Sequence, residues 1–107
     1  MPIIYHVTTQ KAWEKALQKK QYVAASLADE GFIHCSQAAQ VPGVLQRYYA
    51  GKTNLVLLTI QTDLLESPFV FEWSPSTADT YPHIYGPINT NAVITVTDIS
   101  ATPSATV

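Results

Sequence analysis

The segment "NLVLLTIQ", residues 54–61, most constrains how this chain can fold. It is a continuous run of leucine and β-branched residues, a pattern that is typical of a strand buried on both faces. Such a strand needs hydrogen-bonded neighbours on both edges, so we predict that it lies at the centre of a β-sheet. The chain has 107 residues, enough for a single hydrophobic core. We therefore expect one globular domain over residues 1–100, followed by a flexible C-terminal tail over residues 101–107.

Shorter segments predict the elements around this strand. Strands are expected at "PIIYHVT", "FIHCS", "FVFEWS", "HIYG" and "AVITVTDIS", and a loop is expected at "STADTYP". Helices are expected over residues 9–20, packed through Trp13, at "SLADEG", ended by Gly31, and within "SQAAQVPGVLQRYYAG". Because two or three helices occur among the strands without regular alternation, the predicted fold class is α+β.

Composition excludes several classes of partner. With 47% hydrophobic and 13% charged residues, the chain is typical of a compact globular protein, and its net charge of -2 argues against DNA as a partner. The segment "MPIIYHVTTQ" lacks the features of a signal peptide, and no apolar window is long enough to span a membrane. The single cysteine, Cys35, excludes an internal disulfide and fits a reducing compartment. We expect a cytoplasmic protein without a membrane partner.

The three histidines of the chain are its most suggestive polar residues. Each has a hydroxyl-bearing side chain two residues further along a predicted strand: His6 with Thr8, His34 with Ser36, and His83 with Tyr85. Residues two apart point to the same face of a strand, and one sheet face could bring all three histidines into a common cleft. The alternative is that each histidine is a satisfied structural residue, and that Thr8 and Ser36 are N-caps of the helices that follow.

Two other sites are weighed against this cleft. Three imidazoles can hold zinc, but the histidines are far apart in the sequence and form no metal-binding motif, so no metal is expected. Cys35 could be a nucleophile, but adjacent strand residues face opposite ways, so His34 cannot serve as its base. Cys35 is therefore interpreted as a small core residue beside Ile33.

Glu72 is an isolated carboxylate in the predicted strand "FVFEWS". A carboxylate between Phe71 and Trp73 must reach water or find hydrogen-bond donors, and burial would raise its pKa into the range useful for acid–base catalysis. Glu72 is thus a candidate catalytic residue. The alternative is an exposed strand face or a satisfied pair.

Several motifs together resemble a known family. The segments "IYHVT", "SLADEGFIHCS", "QVPGVLQRYYAG", "LVLLTI" and "YPHIYGPINTNAV" occur in order over about residues 3–96, and they are similar to the family named domain of unknown function 952. That family is grouped by fold with ADP-ribosyltransferase-like proteins, which include NAD-using toxins and RNA 2′-phosphotransferases. The resemblance implies a split, strongly bent β-sheet that encloses a cleft.

The resemblance also implies roles for particular residues. By likeness His6 would contact the ribose of NAD with Thr8 beside it, Tyr85 would stack on a base, and Glu72 would stabilise the departing sugar. The other ligand-binding candidates are His34, Ser36 and His83. The function implied is a transferase that uses NAD or an ADP-ribose-like nucleotide as substrate; the alternative is a non-catalytic module that binds a small ligand or a protein. The chain has no glycine-rich phosphate loop, and Arg47 and Lys52 are its cations outside the first helix.

Overall fold

Eight strands and three α-helices follow one another along residues 2–99, the part of the chain that the computed structural model describes. Their order is β1 (Ile3–Thr9), α1 (Gln10–Lys19), β2 (Gln21–Tyr22), α2 (Ala25–Glu30), β3 (Ile33–His34), α3 (Val41–Tyr48), β4 (Leu55–Gln61), β5 (Phe69–Ser74), β6 (Asp79–Ile84), β7 (Ile88–Asn89) and β8 (Val93–Asp98). Short 3₁₀ helices span Ala38–Gln40, Thr62–Leu64 and Thr90–Ala92. The class is α+β, as the sequence predicts.

The strands are divided among three antiparallel sheets within residues 2–99. The first has the order β1-β4-β8, so β4 lies at its centre, and this prediction is confirmed. The second pairs β2 with β7, and the third has the order β3-β6-β5. The prediction that β4 is buried on both faces is wrong in part. One face, with Val56, Leu58 and Ile60, is buried, while Leu57 and Thr59 on the other are only half-buried.

The predicted loop at "STADTYP" is largely wrong. Residues 79–82 belong to β6, which pairs with β5 in the register Glu72↔Tyr81 and Trp73↔Thr80. Pro82 lies inside this strand and is fully buried. The sequence is rich in turn-forming residues here, but pairing with two neighbouring strands outweighs this weak local preference.

The core lies between the first helix and the sheets. The face of α1 that carries Trp13 and Ala16 is buried, which confirms the predicted packing through Trp13. Across it lie the apolar side chains of several strands: Ile4, Ile33, Cys35, Val56, Leu58, Ile60, Ile84 and Ile88. The core therefore draws on all three sheets, and it joins them into one domain.

The predicted N-caps at Thr8 and Ser36 are both wrong. Helix α1 is capped by Thr9, whose hydroxyl accepts a hydrogen bond from the backbone N–H of Ala12 at 3.1 Å. The 3₁₀ helix after Ser36 is capped by Gln37. Each cap lies one residue later than predicted, so Thr8 and Ser36 keep their side chains for other contacts. Gly31 does end α2 as predicted, with a positive φ of 90°.

Two further predictions concern the C-terminal tail and the lack of a membrane-spanning segment. The tail predicted over residues 101–107 lies outside the described residues. Among residues 2–99, no helix is both long enough and apolar enough to cross a membrane.

Candidate functional site

A cavity of about 640 Å³ opens between β1, β3, β6 and the helices α2 and α3. Five of the predicted site residues line it: His6, Thr8, His34, Ser36 and His83. The two other predicted residues, Glu72 and Tyr85, are not part of its wall. The fold thus brings together all three histidines, whereas the predicted catalytic carboxylate, Glu72, is not in the cavity wall.

Backbone pairing between separate sheets creates this cavity. Ser36 forms an isolated antiparallel bridge with Tyr5 of β1, through N–H···O bonds of 2.7 and 2.8 Å. On the other side, β3 pairs with β6 so that His34 lies directly opposite His83. The short β3 segment is therefore fastened to two sheets at once, and this places His6 and His83 on the same cavity.

His6 is buried, with 8% of its surface exposed, and both of its ring nitrogens are engaged. Nδ1 lies 2.6 Å from the carbonyl oxygen of His34, and Nε2 lies 2.9 Å from the hydroxyl of Tyr22. The Tyr22 hydroxyl in turn lies 2.9 Å from the hydroxyl of Thr8. These contacts tie β1 to β2 and β3, which belong to the two other sheets.

The proton positions in this cluster follow from its geometry. Burial lowers the pKa of His6 to about 4, against the smaller opposing effect of its hydrogen bond to the His34 carbonyl, so the ring is neutral at pH 7. A carbonyl can only accept, so Nδ1 of His6 carries the proton and donates it. Nε2 must then accept from the Tyr22 hydroxyl. The Thr8 hydroxyl is left to donate to Tyr22.

His34 and His83, which line the cavity, form an aromatic group with Phe32. The ring of His83 stacks on Phe32 with a centroid distance of 4.1 Å and an interplanar angle of 15°. His34 meets His83 edge-on at 5.3 Å, and its Nε2 lies 3.1 Å from Oε2 of Glu30. The side chain of His34 is half exposed, whereas that of His83 is mostly covered.

Glu72 contacts His83, although Glu72 is not itself part of the cavity wall. Nδ1 of His83 lies 2.7 Å from Oε1 of Glu72, and the hydroxyl of Tyr85 donates to the same oxygen. The hydrogen bond from Tyr85, followed by that from His83, lowers the pKa of Glu72, so burial does not raise it as the sequence suggested. The shared bond raises the pKa of Tyr85. Glu72 is therefore an ionised partner of His83.

The cavity wall also includes residues that the sequence analysis did not predict as site residues, among them Tyr22, Glu30 and Arg47. Glu30 ends α2, and Arg47 lies in the last turn of α3. Charged residues at helix ends usually point into water, so no local pattern marked them. Glu30 is the carboxylate that lines the cavity.

The structure also bears on the two alternative sites weighed in the sequence, a cysteine nucleophile and a metal site. Cys35 is buried, and burial raises the pKa of its thiol, which disfavours the nucleophilic thiolate. Across the part of the chain that is described, no three His, Cys, Asp or Glu side chains are grouped so that they could hold a metal ion.

Comparison with protein-family models identifies the family of this chain. The model described as Protein of unknown function (DUF952) matches residues 7–96. The chain belongs to this family. The match includes β1 from Val7 onward and extends into β8, so it covers the cavity wall except for His6. No curated protein matches the chain.

The fold of this DUF952 chain is similar to that of solved structures. The chain is similar to the X-ray crystal structure of protein CC0527 from Caulobacter crescentus, with a TM-score of 0.80 and 28% identity over 95% of this chain and 93% of that one. It is also similar to the solution NMR structure of CC0527, with a TM-score of 0.80 and 26% identity over 95% of this chain and 88% of that one. The two chains therefore share the arrangement of elements described above over nearly their full lengths.

Proposed function

We propose that the cavity binds a small nucleotide-like ligand of the NAD or ADP-ribose class, and that the protein is an ADP-ribosyltransferase-like enzyme acting on it. The observation that carries this proposal is the convergence of His6, Thr8, His34, Ser36 and His83 on one cavity of about 640 Å³. This volume lies within the range of roughly 300–1,000 Å³ that is common for small-molecule sites. The strongly bent, ADP-ribosyltransferase-like arrangement of the sheet is part of the same proposal.

The charges around the cavity suit cleavage of the nicotinamide–ribose bond. The electron pair of that bond leaves with the nicotinamide nitrogen, and the ribose ring gains positive charge in an oxocarbenium-like state. A nearby carboxylate stabilises such a state. In this proposal Glu30 takes that role, because it lines the cavity, whereas Glu72 does not.

His83 is the proposed proton acceptor. An acceptor hydroxyl or water adds to the ribose carbon and passes its proton to Nε2 of His83. The imidazolium that forms is balanced by Glu72, whose Oε1 lies 2.7 Å from Nδ1. Glu72 is thus a positioning residue that acts through His83. In this proposal His6 does not bind the ribose through its ring nitrogens, because both already form hydrogen bonds within the protein. Its role is to form part of the cavity wall.

A non-catalytic binding module is the second candidate. Two observations favour it: Glu72 stands outside the cavity wall, and His6 has no ring nitrogen available for a ligand. In that case the same cavity holds a small ligand or a protein segment without turnover.

Imidazole NMR spectra of the chelator-treated protein test the binding step. We expect the His34 and His83 signals to shift together on addition of NAD or ADP-ribose, with a smaller change for the enclosed ring of His6. If no histidine signal moves at millimolar nucleotide, the proposal of a nucleotide site is wrong.

Nicotinamide release from NAD tests the chemical step. Glu30→Gln should lower turnover by about 100-fold with little change in binding, as expected for a group that stabilises charge only in the transition state. The matched control is Glu14→Gln, on the exposed face of α1. If the wild type binds NAD without release over a long incubation, and Glu72→Gln keeps the same affinity, the binding module is the correct function.

A further inference from the structure

We infer that Arg47 anchors a phosphate group of the ligand at the α3 side of the cavity, and that Gly43 keeps the space in which its guanidinium lies. This inference rests on the proposed function for the nucleotide class of the ligand, and it deepens that function because it assigns the phosphate-binding end of the site. No glycine-rich phosphate loop is present in the sequence, so a nucleotide needs another source of positive charge.

Arg47 combines position with unused hydrogen-bonding capacity. Its side chain lines the cavity, and its Nη2 donates to the hydroxyl of Tyr81 at 3.2 Å. A guanidinium carries five N–H donors in a planar fork, a geometry that matches two oxygens of a phosphate. The bond to Tyr81 uses one of these donors and holds the group at the wall.

The charge of Arg47 is not balanced by a carboxylate of the described residues. The carboxylate contacts with basic side chains found there are those of Glu30 with His34 and of Glu72 with His83, and each is an ion pair only when the histidine is protonated. Glu30, the acidic side chain of the wall, contacts His34 four residues further along the chain and is not paired with Arg47. An anionic ligand group would supply the missing partner of Arg47.

Gly43 explains how the guanidinium reaches this position. Gly43 precedes Arg47 by one helical turn, and a methyl group at Gly43 would lie 2.9 Å from Nη1 of Arg47. The arginine side chain is thus folded back along its own helix over a surface without a Cβ atom. Any side chain at residue 43 would force the guanidinium to move.

The start of α3 is fastened to the strand that carries Tyr81. The side-chain amide of Gln40 donates to the carbonyl oxygen of Thr80 at 2.7 Å and to Oδ2 of Asp79 at 2.8 Å. Gln37 donates to the same Thr80 oxygen at 3.0 Å. These bonds fix α3 on β6, so Arg47 meets Tyr81 on rigid elements.

Calorimetric titration of the full chain with sodium pyrophosphate and with ADP-ribose tests the anchor. Arg47→Ala should weaken both ligands by about tenfold or more, the usual effect of losing a charge-assisted pair of hydrogen bonds. Lys52→Ala is the matched control: it removes the same charge from a side chain that is outside the cavity wall, and it should change affinity by less than about twofold.

Gly43→Ala separates the anchor from general damage to the fold. Alanine favours a helix over glycine, and the atom it would crowd is the far end of a flexible side chain. We expect thermal stability to be kept or raised while affinity for pyrophosphate falls several-fold. If Gly43→Ala keeps full affinity, or if Arg47→Ala and Lys52→Ala weaken binding equally, the inference is wrong.

The two proposals fail in different ways. If ADP-ribose binds and Arg47→Ala leaves its affinity unchanged, the anchor is wrong and the proposed function stands. If pyrophosphate binds through Arg47 while NAD and ADP-ribose do not compete with it, the nucleotide function is wrong and the anchor stands. If the wild type binds neither pyrophosphate nor ADP-ribose, both are overturned.

Discussion

His6 and His83 line the same cavity in contrasting environments. Both bind an oxygen through Nδ1, at 2.6 Å for His6 and 2.7 Å for His83. The oxygen that His6 binds is the neutral backbone carbonyl of His34, and the Nε2 atom of His6 is bound to the Tyr22 hydroxyl. The oxygen facing His83 belongs to a carboxylate, and within residues 2–99 no side chain or carbonyl is hydrogen bonded to its Nε2.

The difference shows how the environment sets what a histidine can do. Burial keeps the ring of His6 neutral, and its two hydrogen bonds join β1 to β2 and β3. A carboxylate can balance the positive charge that a histidine gains with a proton, which suits His83 to proton transfer. The comparison predicts that changes at His6 act on stability and that changes at the His83 pair act on chemistry.

Replacement of His6 gives the largest expected effect. His6→Ala leaves a cavity and deprives the His34 carbonyl and the Tyr22 hydroxyl of their partner, so the free energy of unfolding should fall by about 3–4 kcal/mol. Urea denaturation measures this loss. His34→Ala is the control, because it removes an exposed imidazole, and it should cost much less. Equal losses in the two variants would mean that His6 does not join the sheets as described.

Acidification should lower the free energy of unfolding by an amount similar to, or smaller than, the loss caused by His6→Ala. Burial lowers the pKa of His6 to about 4, from 6.5, so the unfolded chain binds a proton between these values that the folded chain does not. Stability is therefore complete above about pH 6.5 and falls as the pH drops towards 4, by about 3 kcal/mol in total.

Denaturation curves at several pH values check this expectation. The pH range from 6.5 to 5 is the most informative for measuring the effect of His6 on stability. In this range Glu72 and Asp79, whose carboxylates have a lowered pKa, do not yet change charge. A folded His6→Gln variant should show a flatter stability profile in this window. A wild-type profile that is already flat there would contradict a neutral, buried His6.

Glu72→Gln should have the smallest effect on stability and a specific effect on His83. The amide cannot balance a charged imidazole, and the Tyr85 hydroxyl loses its charged acceptor. We expect little change in denaturation, but altered nitrogen chemical shifts of the His83 ring and a downward shift of the pKa of Tyr85 towards its ordinary value. Ultraviolet titration of the tyrosines and ¹⁵N NMR measure the two changes. Unchanged His83 signals would mean that the pair is not formed in solution.

Local patterns in the sequence predicted much of the framework. The apolar run of residues 54–61 indicated the central strand, helical periodicity placed Trp13 in the core, and Gly31 marked the end of a helix. The alternation in "IHC" correctly separated buried Ile33 and Cys35 from exposed His34. These features depend on neighbours in the sequence, and a strand or helix repeats its faces regularly enough for such neighbours to reveal them.

Only the tertiary structure decided which groups meet at the cavity. The pairing of β3 with β6 sets His34 opposite His83, and strand pairing extends β6 through Pro82. Packing brings Glu30 and Arg47 to the cavity wall, whereas Glu72 is not part of it. The sequence determined that His6, His34 and His83 face away from their apolar neighbours. It could not determine what each one faces, because those partners come from distant segments whose pairing depends on the packing of the whole core.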